Sequence, residues 1–288
     1  MISIIICSVS SDLADCLSEN IKKTIGTEYE LLIENNSGSD KGICHVYNKL
    51  AQQAKYEYIL FIHEDICFHT LNWGSKLIAL LSRMEIGLVG VSGSVYKSSY
   101  SSSWTACKQA FYRMNTIQHY IGVKNPFHHV INPDQNSYSE VALIDGVFMA
   151  TRSDVFTKFR FDDILLKGFH GYDFDLCMQI RSNYKIVVTH DIQIEHFSSG
   201  TINEKWLDDI VLLHKKWKNH LPIYIGKDNK NDYESDYIAA SSLFDKMLTY
   251  HSELFQVMKY YIVILTYFFP LNKFKFTKSF VRYLFTNS

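Results

Sequence analysis

The chain has no Gly-x-Gly-x-x-Gly turn after its first apolar run and no Gly-x-x-x-x-Gly-Lys-Ser/Thr loop. Neither a dinucleotide-binding enzyme nor a P-loop enzyme is supported. A Gly-x-Ser-x-Gly elbow is also missing, which removes that route to a serine hydrolase. Six cysteines (Cys7, Cys16, Cys44, Cys67, Cys107 and Cys177) include no Cys-x-x-Cys pair, so neither a zinc knuckle nor a disulfide framework is expected. A reducing, cytosolic compartment suits such scattered thiols. Net charge is −1, without the basic field of a nucleic-acid binder. Ile2 to Val9 is apolar but lacks a basic leader and a small-residue cleavage site, so it reads as a first, central strand rather than a signal peptide.

What is present is alternation. Ile2–Val9 has the continuous apolar character of a strand buried on both faces. Ser11-Asp12 offers an N-cap for a helix to about Ile25. Tyr29–Ile33 reads as a strand, 42–54 as a helix, Tyr58–Ile62 as a strand, 71–83 as a helix and Ile86–Val91 as a strand. This order predicts an α/β domain whose central sheet is mostly parallel and flanked by helices. Residues 92–140 lose the rhythm and read as a long loop, of the kind that serves as a lid. Order returns at 141–151, where Asp145-Gly146 interrupts an apolar run with a bulge or a close approach to a ligand. A helix is expected from Tyr172 to about Asn183, short strands at 185–189 and 192–196, and an amphipathic helix over 204–220.

Composition changes again at the C-terminus. The apolar run 260–271 is shorter than the ~20 residues that a spanning helix needs. No acid follows Glu253, and Lys273, Lys275, Lys278 and Arg282 alternate with aromatic residues. Residues 221–288 therefore read as a helical extension. Either 255–288 lies in a membrane interface as a basic, aromatic surface, or the helices pack on the domain or on a second subunit of a homodimer. Aromatics are 15% of the chain; most belong to the core, and some are expected to line a sugar or acceptor cleft.

Two acidic stretches carry the chemistry. Ile59–Ile62 ends abruptly in His63-Glu64-Asp65, and Gly171-Tyr172-Asp173-Phe174-Asp175 opens a helix, with Glu195-His196 following a later strand. Strands of an open α/β sheet deliver such acids to the ligand crevice at their C-terminal ends. Carboxylates with one histidine suit a hard divalent cation and a phosphate-bearing ligand. Asp173 in a first helical turn is also favoured by the helix dipole. Asp175 points elsewhere on the helix and reads as structural.

In their order, these segments resemble those of GT-A-fold glycosyltransferases of the family-2, inverting type. The similarity runs from Ile2 to Trp217 through Glu34-Asn35-Asn36-Ser37, Lys41 to Asn48, His63-Glu64-Asp65, Asp145-Gly146-Val147-Phe148-Met149, Gly171 to Leu176 and Glu195-His196. It implies a GT-A (Rossmann-like) domain over 1–220, with 92–140 as an acceptor-side insert or lid. It implies that Asp65 binds manganese or magnesium and that His196 completes the site, with His170 and His190 as competing histidines. It implies that Asp173 is the general base, and that Ser8, Glu34, Asn35, Ser37, Lys41, Asn48 and Glu64 bind the nucleotide. Asp145, Gly146 and Tyr172 fall beside the donor or acceptor sugar. Two positions depart from the family pattern: His63 stands where an Asp is usual, and Tyr172 where a Glu is usual.

The expected activity is transfer of a sugar from a nucleotide-diphosphate sugar to a hydroxyl of a glycan or lipid-linked acceptor, in the cytoplasm or on the inner membrane face. Polysaccharide synthesis is a common setting for such relatives. The competing expectation is a non-catalytic sugar-nucleotide or glycan-binding module on the same fold. A nucleotidyltransferase ranks lower, because Cys7-Ser8-Val9-Ser10-Ser11 has neither Gly nor Lys to cradle a triphosphate.

Overall fold

In the computed structural model the described residues are 1–198, 200, 202–226, 231–250, 254–268 and 273–286. Glu253 and, from the apolar run 260–271, Phe269, Pro270 and Leu271 lie outside them, as do the side chains of Lys273, Phe274, Lys275 and Phe285.

The first part runs β1 (Ile2–Ser8), α1 (Ser11–Thr24), β2 (Tyr29–Asn35), α2 (Ile43–Ala51), β3 (Tyr58–Ile62), β4 (Ile66–Phe68), α3 (Trp73–Leu81) and β5 (Ile86–Gly90). Ser10 rather than Ser11 caps α1: its backbone is extended, and its hydroxyl accepts from the Leu13 N–H. The next stretch, expected as a loop, carries five short strands: β6 (Ser92–Ser94), β7 (Tyr96–Lys97), β8 (Tyr112–Gln118), β9 (Phe127–Ile131) and β10 (Tyr138–Glu140). After β11 (Leu143–Ile144) and β12 (Phe148–Arg152) come α4 (Ser153–Lys158), α5 (Tyr172–Ile180), β13 (Lys185–Thr189), β14 (Ile194–His196), α6 (Glu204–Trp217), β15 (Ile223–Tyr224), α7 (Tyr233–Thr249), α8 (Leu254–Tyr267) and α9 (Lys273–Thr286).

The central sheet has the order β10-β13-β5-β12-β3-β1-β2. Strands β1, β2, β3, β5 and β13 share one direction, and β12 and β10 oppose it. Both faces are covered. Ile2, Ile4 and Ile6 pack with Leu17 and Ile21 of α1 and with Trp73, Leu77 and Leu81 of α3. Ile5 and Phe61 pack on the other side with Tyr47 of α2 and with Phe174 and Leu176 of α5. Alternate residues of one strand thus feed two cores, which is why β1 is apolar throughout.

A second sheet, β11-β6-β8-β14-β4 with β9 on the outer side of β8, stands over the C-terminal ends of the central strands. Its partners are far apart in sequence: β14 lies antiparallel to β4 and parallel to β8. Helices α7 to α9 enclose their own apolar cluster with Leu207 of α6, built around Phe244, Met247, Ile264 and Phe276. The start of α7 is tied to the 96–108 segment: Asp236 accepts from the Tyr96 and Ser98 hydroxyls at 2.7 and 2.6 Å, and Asp232 pairs with Lys108 at 2.6 Å.

Helix α5 begins at Gly171, whose φ of +76° lies in the left-handed region, and a Cβ there would run into Leu213 of α6. The positive φ is what favours glycine there; the Leu213 methyl, at the end of a flexible side chain, would also have to shift for any Cβ. Gly171→Ala is expected to destabilise the fold by on the order of 2 kcal/mol, read as a lower urea midpoint with an unchanged m-value.

Candidate active site

Strand β3 is buried to its last residue and releases three polar residues together. Glu64 is 8% exposed and collects the donors of the turn after β1. It accepts a short bond from the Ser8 hydroxyl and bonds from the N–H groups of Val9 (3.1 Å) and Ser10 (3.2 Å). One carboxylate thus replaces water for three donors and fastens the β1–α1 turn to the end of β3. Ser8, 2% exposed, and Glu64 are therefore bonded to each other, and the side-chain groups expected to contact the nucleotide are engaged internally.

Asp65 points the other way. Its Oδ1 lies 3.5 Å from His196 Nε2 and 3.9 Å from His63 Nδ1. The three prospective ligand atoms all fall within 4.8 Å of one another. His196 arrives through the antiparallel pairing of β14 with β4, which sets it opposite Ile66. Its Nδ1 lies 3.1 Å from Gln118 Oε1, an acceptor, so Nδ1–H is the donor there and Nε2 is the nitrogen turned toward Asp65. Asp65 Oδ1 and His196 Nε2 are buried and lie beyond ordinary hydrogen-bond geometry from any partner among the described residues. Buried polar atoms are almost always paired, so an inward-facing carboxylate oxygen and imidazole nitrogen fit a cation. Burial acts to raise the Asp65 pKa, but His196 and then His63 outweigh it and hold the group below the ordinary carboxylate value. Of the competing histidines, His190 bonds Ser139 at the sheet edge, and His170 lines the neighbouring cleft without joining the cluster.

Asp173, half-buried in the first turn of α5, lines the adjoining compartment. Its Oδ1 accepts from the Phe174 N–H at 2.8 Å. Burial first, and the neighbouring Asp145 carboxylate second, push its pKa up to about 7. Asp145 is held on both oxygens, by Val147 N–H at 2.9 Å and by Trp104 Nε1–H at 2.7 Å. Trp104 sits on the serine-rich loop after β7. Lys97 anchors that loop, donating to the Ser102 carbonyl at 2.5 Å and its hydroxyl at 2.9 Å. The Lys97 side chain is 2% exposed and lies over the Phe174 ring, and burial lowers its pKa to about 7.

His63, Asp145, Gly146, Tyr172 and Asp173 line one compartment with Trp104 and Trp206. Asp65, His196, Gln118, Tyr120 and His129 line an adjoining one, and Trp104, Asp145 and His63 form the shared wall. Trp104 and Lys97 escape a motif reading because neither sits in a patterned segment. A lone Trp after a serine run was the one available signal.

The other expected nucleotide residues divide into two groups. Asn35 pairs with Ser8 across β1 and β2, and its side chain accepts from the Ser37 N–H at 2.9 Å. Glu34, Asn35, Ser37 and Lys41 therefore gather at the C-terminal edge of β2, with Glu34 paired to Lys49 at 2.5 Å. Asn48 is not with them: its amide donates to the Phe161 carbonyl at 2.8 Å, and it lines a separate hollow with Ile59 and Ser153. That face of α2 turns toward the start of β3, away from the strand ends that carry the acids. Asp175 holds Trp217 Nε1 and Lys216 Nζ, each at 2.7 Å, and locks α5 to α6.

The architecture and the acid-bearing strand ends define a GT-A glycosyltransferase domain. The profile of the glycosyltransferase like family matches residues 3–235, and the chain belongs to that family. No curated protein matches the sequence at a significant level. Three solved structures share the fold. A crystal structure of GalNAc-T7 with UDP, GalNAc and Mn2+ superposes with a TM-score of 0.57 at 11% identity, covering 91% of this chain and 54% of the other. The chain thus spans about half the length of that relative. Residues 1–349 of TarS from S. aureus give 0.50 at 13% identity, covering 93% and 79%. The mannosyltransferase PcManGT from Pyrobaculum calidifontis, in complex with GDP-Man and Mn2+, gives 0.50 at 10% identity, covering 100% and 88%.

Glu64→Ala is expected to strand the three donors of the β1–α1 turn and to cost on the order of 3 kcal/mol of stability. The shift in the chemical-denaturation midpoint measures it.

Proposed function

We propose that the protein transfers a sugar from a nucleotide-diphosphate sugar to a hydroxyl acceptor, inverting the anomeric centre, with Asp173 as general base. The observation that carries this reading is a pair of adjoining compartments that share a wall of Trp104, Asp145 and His63: one holds the cation-competent cluster at Asp65 and His196, the other the Asp173 carboxylate, raised to about 7. Relatives of the same fold solved with UDP and Mn2+ or with GDP-Man and Mn2+ support a nucleotide-sugar donor and a divalent cation.

In this reading Glu34, Asn35, Ser37 and Lys41 face the nucleoside over the ends of β1 and β2. Asp65 and His196 hold manganese or magnesium, manganese being the better match to a nitrogen-containing ligand set. When bound, the cation offsets the negative charge that grows on the diphosphate leaving group. The acceptor enters beside Trp104 and Trp206. Asp173 takes the proton of its hydroxyl as that oxygen attacks the anomeric carbon, and the bond to the diphosphate breaks on the opposite face of the sugar. A base is most effective with a pKa near the working pH, and burial beside Asp145 supplies that value. Asp145 and Trp104 shape the wall between the donor and acceptor sides.

The competing reading, a binding module without turnover, draws on the departures at His63 and Tyr172. It predicts donor binding with neither transfer nor hydrolysis.

Within 221–288, β15 pairs with β7 and Ile223 joins the main core; helices α7 to α9 we read as an appended unit that rests on an anionic bilayer and brings a lipid-linked or membrane-bound glycan acceptor to the cleft. No helix of the described residues is long and apolar enough to cross a membrane. On α8, Leu254, Met258 and Ile262 recur at four-residue spacing and are 47%, 44% and 55% exposed. Lys259 on α8 and Lys278 on α9 are exposed, and no acid follows Glu253. An apolar stripe with cations and no anions suits an acidic lipid surface.

Asp173→Asn should reduce transfer by at least about a thousandfold while nucleotide-sugar affinity by calorimetry stays within a few-fold. In the wild type, kcat/KM should fall as pH drops through about 7, because the protonated acid cannot accept a proton. Asp145→Asn should move that limb to lower pH by removing the like charge. Met258→Asp with Ile262→Asp should abolish co-sedimentation with phosphatidylglycerol vesicles. Loss of a dimer by light scattering, with vesicle binding intact, would instead assign the stripe to subunit contact.

A further inference from the structure

The two positions that depart from the family pattern touch each other. His63 Nε2 lies 2.6 Å from the Tyr172 hydroxyl. The other ring nitrogen, Nδ1, faces Asp65 at 3.9 Å, too far for a hydrogen bond between them. An ion pair alone leaves that spacing unexplained. Ligands around a six-coordinate cation at about 2.1 Å lie roughly 3 to 4 Å apart; His196 Nε2 and His63 Nδ1 stand 3.5 and 3.9 Å from Asp65 Oδ1, and the three atoms fall within 4.8 Å of one another.

Tyr172 is built to hold this position. It is 4% exposed and wedged against Tyr47, Phe161 and Phe169, with ring centroids 5.9 to 6.1 Å away. Its hydroxyl runs directly past Gly146, where a Cβ would collide with the phenol oxygen. Gly146 is therefore the residue that lets Tyr172 reach His63. With Nε2–H donated to the phenol oxygen, the imidazole keeps its Nδ1 lone pair toward Asp65. Carbonyls, carboxylates and hydroxyls that orient a ligating imidazole in this way are integral to metal sites.

We propose that His63 is a third cation ligand through Nδ1 and that Tyr172 is its positioning residue, so that the pair replaces the usual two acids as one matched unit. This inference rests on the reading of the site as a cation site. Two imidazoles and one carboxylate make a nitrogen-rich set that selects Mn2+ over Mg2+. Tyr172 is followed directly by Asp173, so the same helical turn carries the positioning residue and the proposed base.

The test is Mn2+ binding to the full chain, read from the electron paramagnetic resonance signal of the free ion, alone and with UDP or GDP. Tyr172→Phe keeps the packed ring and should weaken Mn2+ binding about 10- to 100-fold, the range for a lost orienting partner. His63→Ala should weaken it at least as much. The double variant should be no weaker than His63→Ala, because Tyr172 acts only through His63. His63→Asp should lower the Mn2+ to Mg2+ affinity ratio several-fold, which a merely structural role of His63 would not do.

Wild-type affinity in Tyr172→Phe, additive losses in the double variant, or an unchanged ratio in His63→Asp would overturn the inference. If Asp65→Ala loses Mn2+ while His63→Ala retains it, the inference falls and the cation reading stands. If the wild-type chain takes up no Mn2+ in any arm, both fall.

Discussion

The cleft is organised around a carboxylate oxygen shut away from water with no donor to meet it. Asp65 Oδ1 faces two imidazoles and no N–H that reaches it. Buried polar atoms are seldom left without a partner. The surrounding structure holds the oxygen in place: β3 is buried to its end, Glu64 ties the β1–α1 turn against it, and β14 is paired so that His196 closes the other side. In the proposed reading, a site prepared in this way would need little rearrangement to take a cation.

Three acids of the site region have been given three different conditions by their surroundings. Glu64 is consumed by the backbone and hydroxyl donors of the β1–α1 turn. Asp65 is held low by histidines. Asp173, on the wall of the adjoining compartment, is raised by burial and by Asp145. Environment rather than residue type separates an ion-binding carboxylate from a proton-accepting one. Lys97 acts on the same wall at one remove: an amine buried under α5 holds the loop that brings Trp104 to Asp145.

The second sheet explains how distant segments meet. The stretch 92–140 has short strands, serine-rich turns and little hydrophobic alternation, and by itself looks like a loop. Its strands exist because β8 and β6 find partners in β14, β11 and β9. Helix α7 then clamps its 96–108 portion through Asp232 and Asp236. The C-terminal helices are thereby joined to the side of the cleft where the acceptor would enter.

By itself the sequence determined the alternating half of the central sheet, the strand that ends in His63-Glu64-Asp65 and the helix that opens on Asp173, because period and burial there are local properties of the chain. It also marked His196 and Asp145. Only the tertiary structure decided that Ser8 and Glu64 satisfy each other, that Asn48 turns to the far side of α2, and that His63 and Tyr172, two separate oddities on paper, lie 2.6 Å apart. Hydrogen bonds, pKa shifts and shared ligand spheres depend on distances between segments that a one-dimensional pattern does not contain.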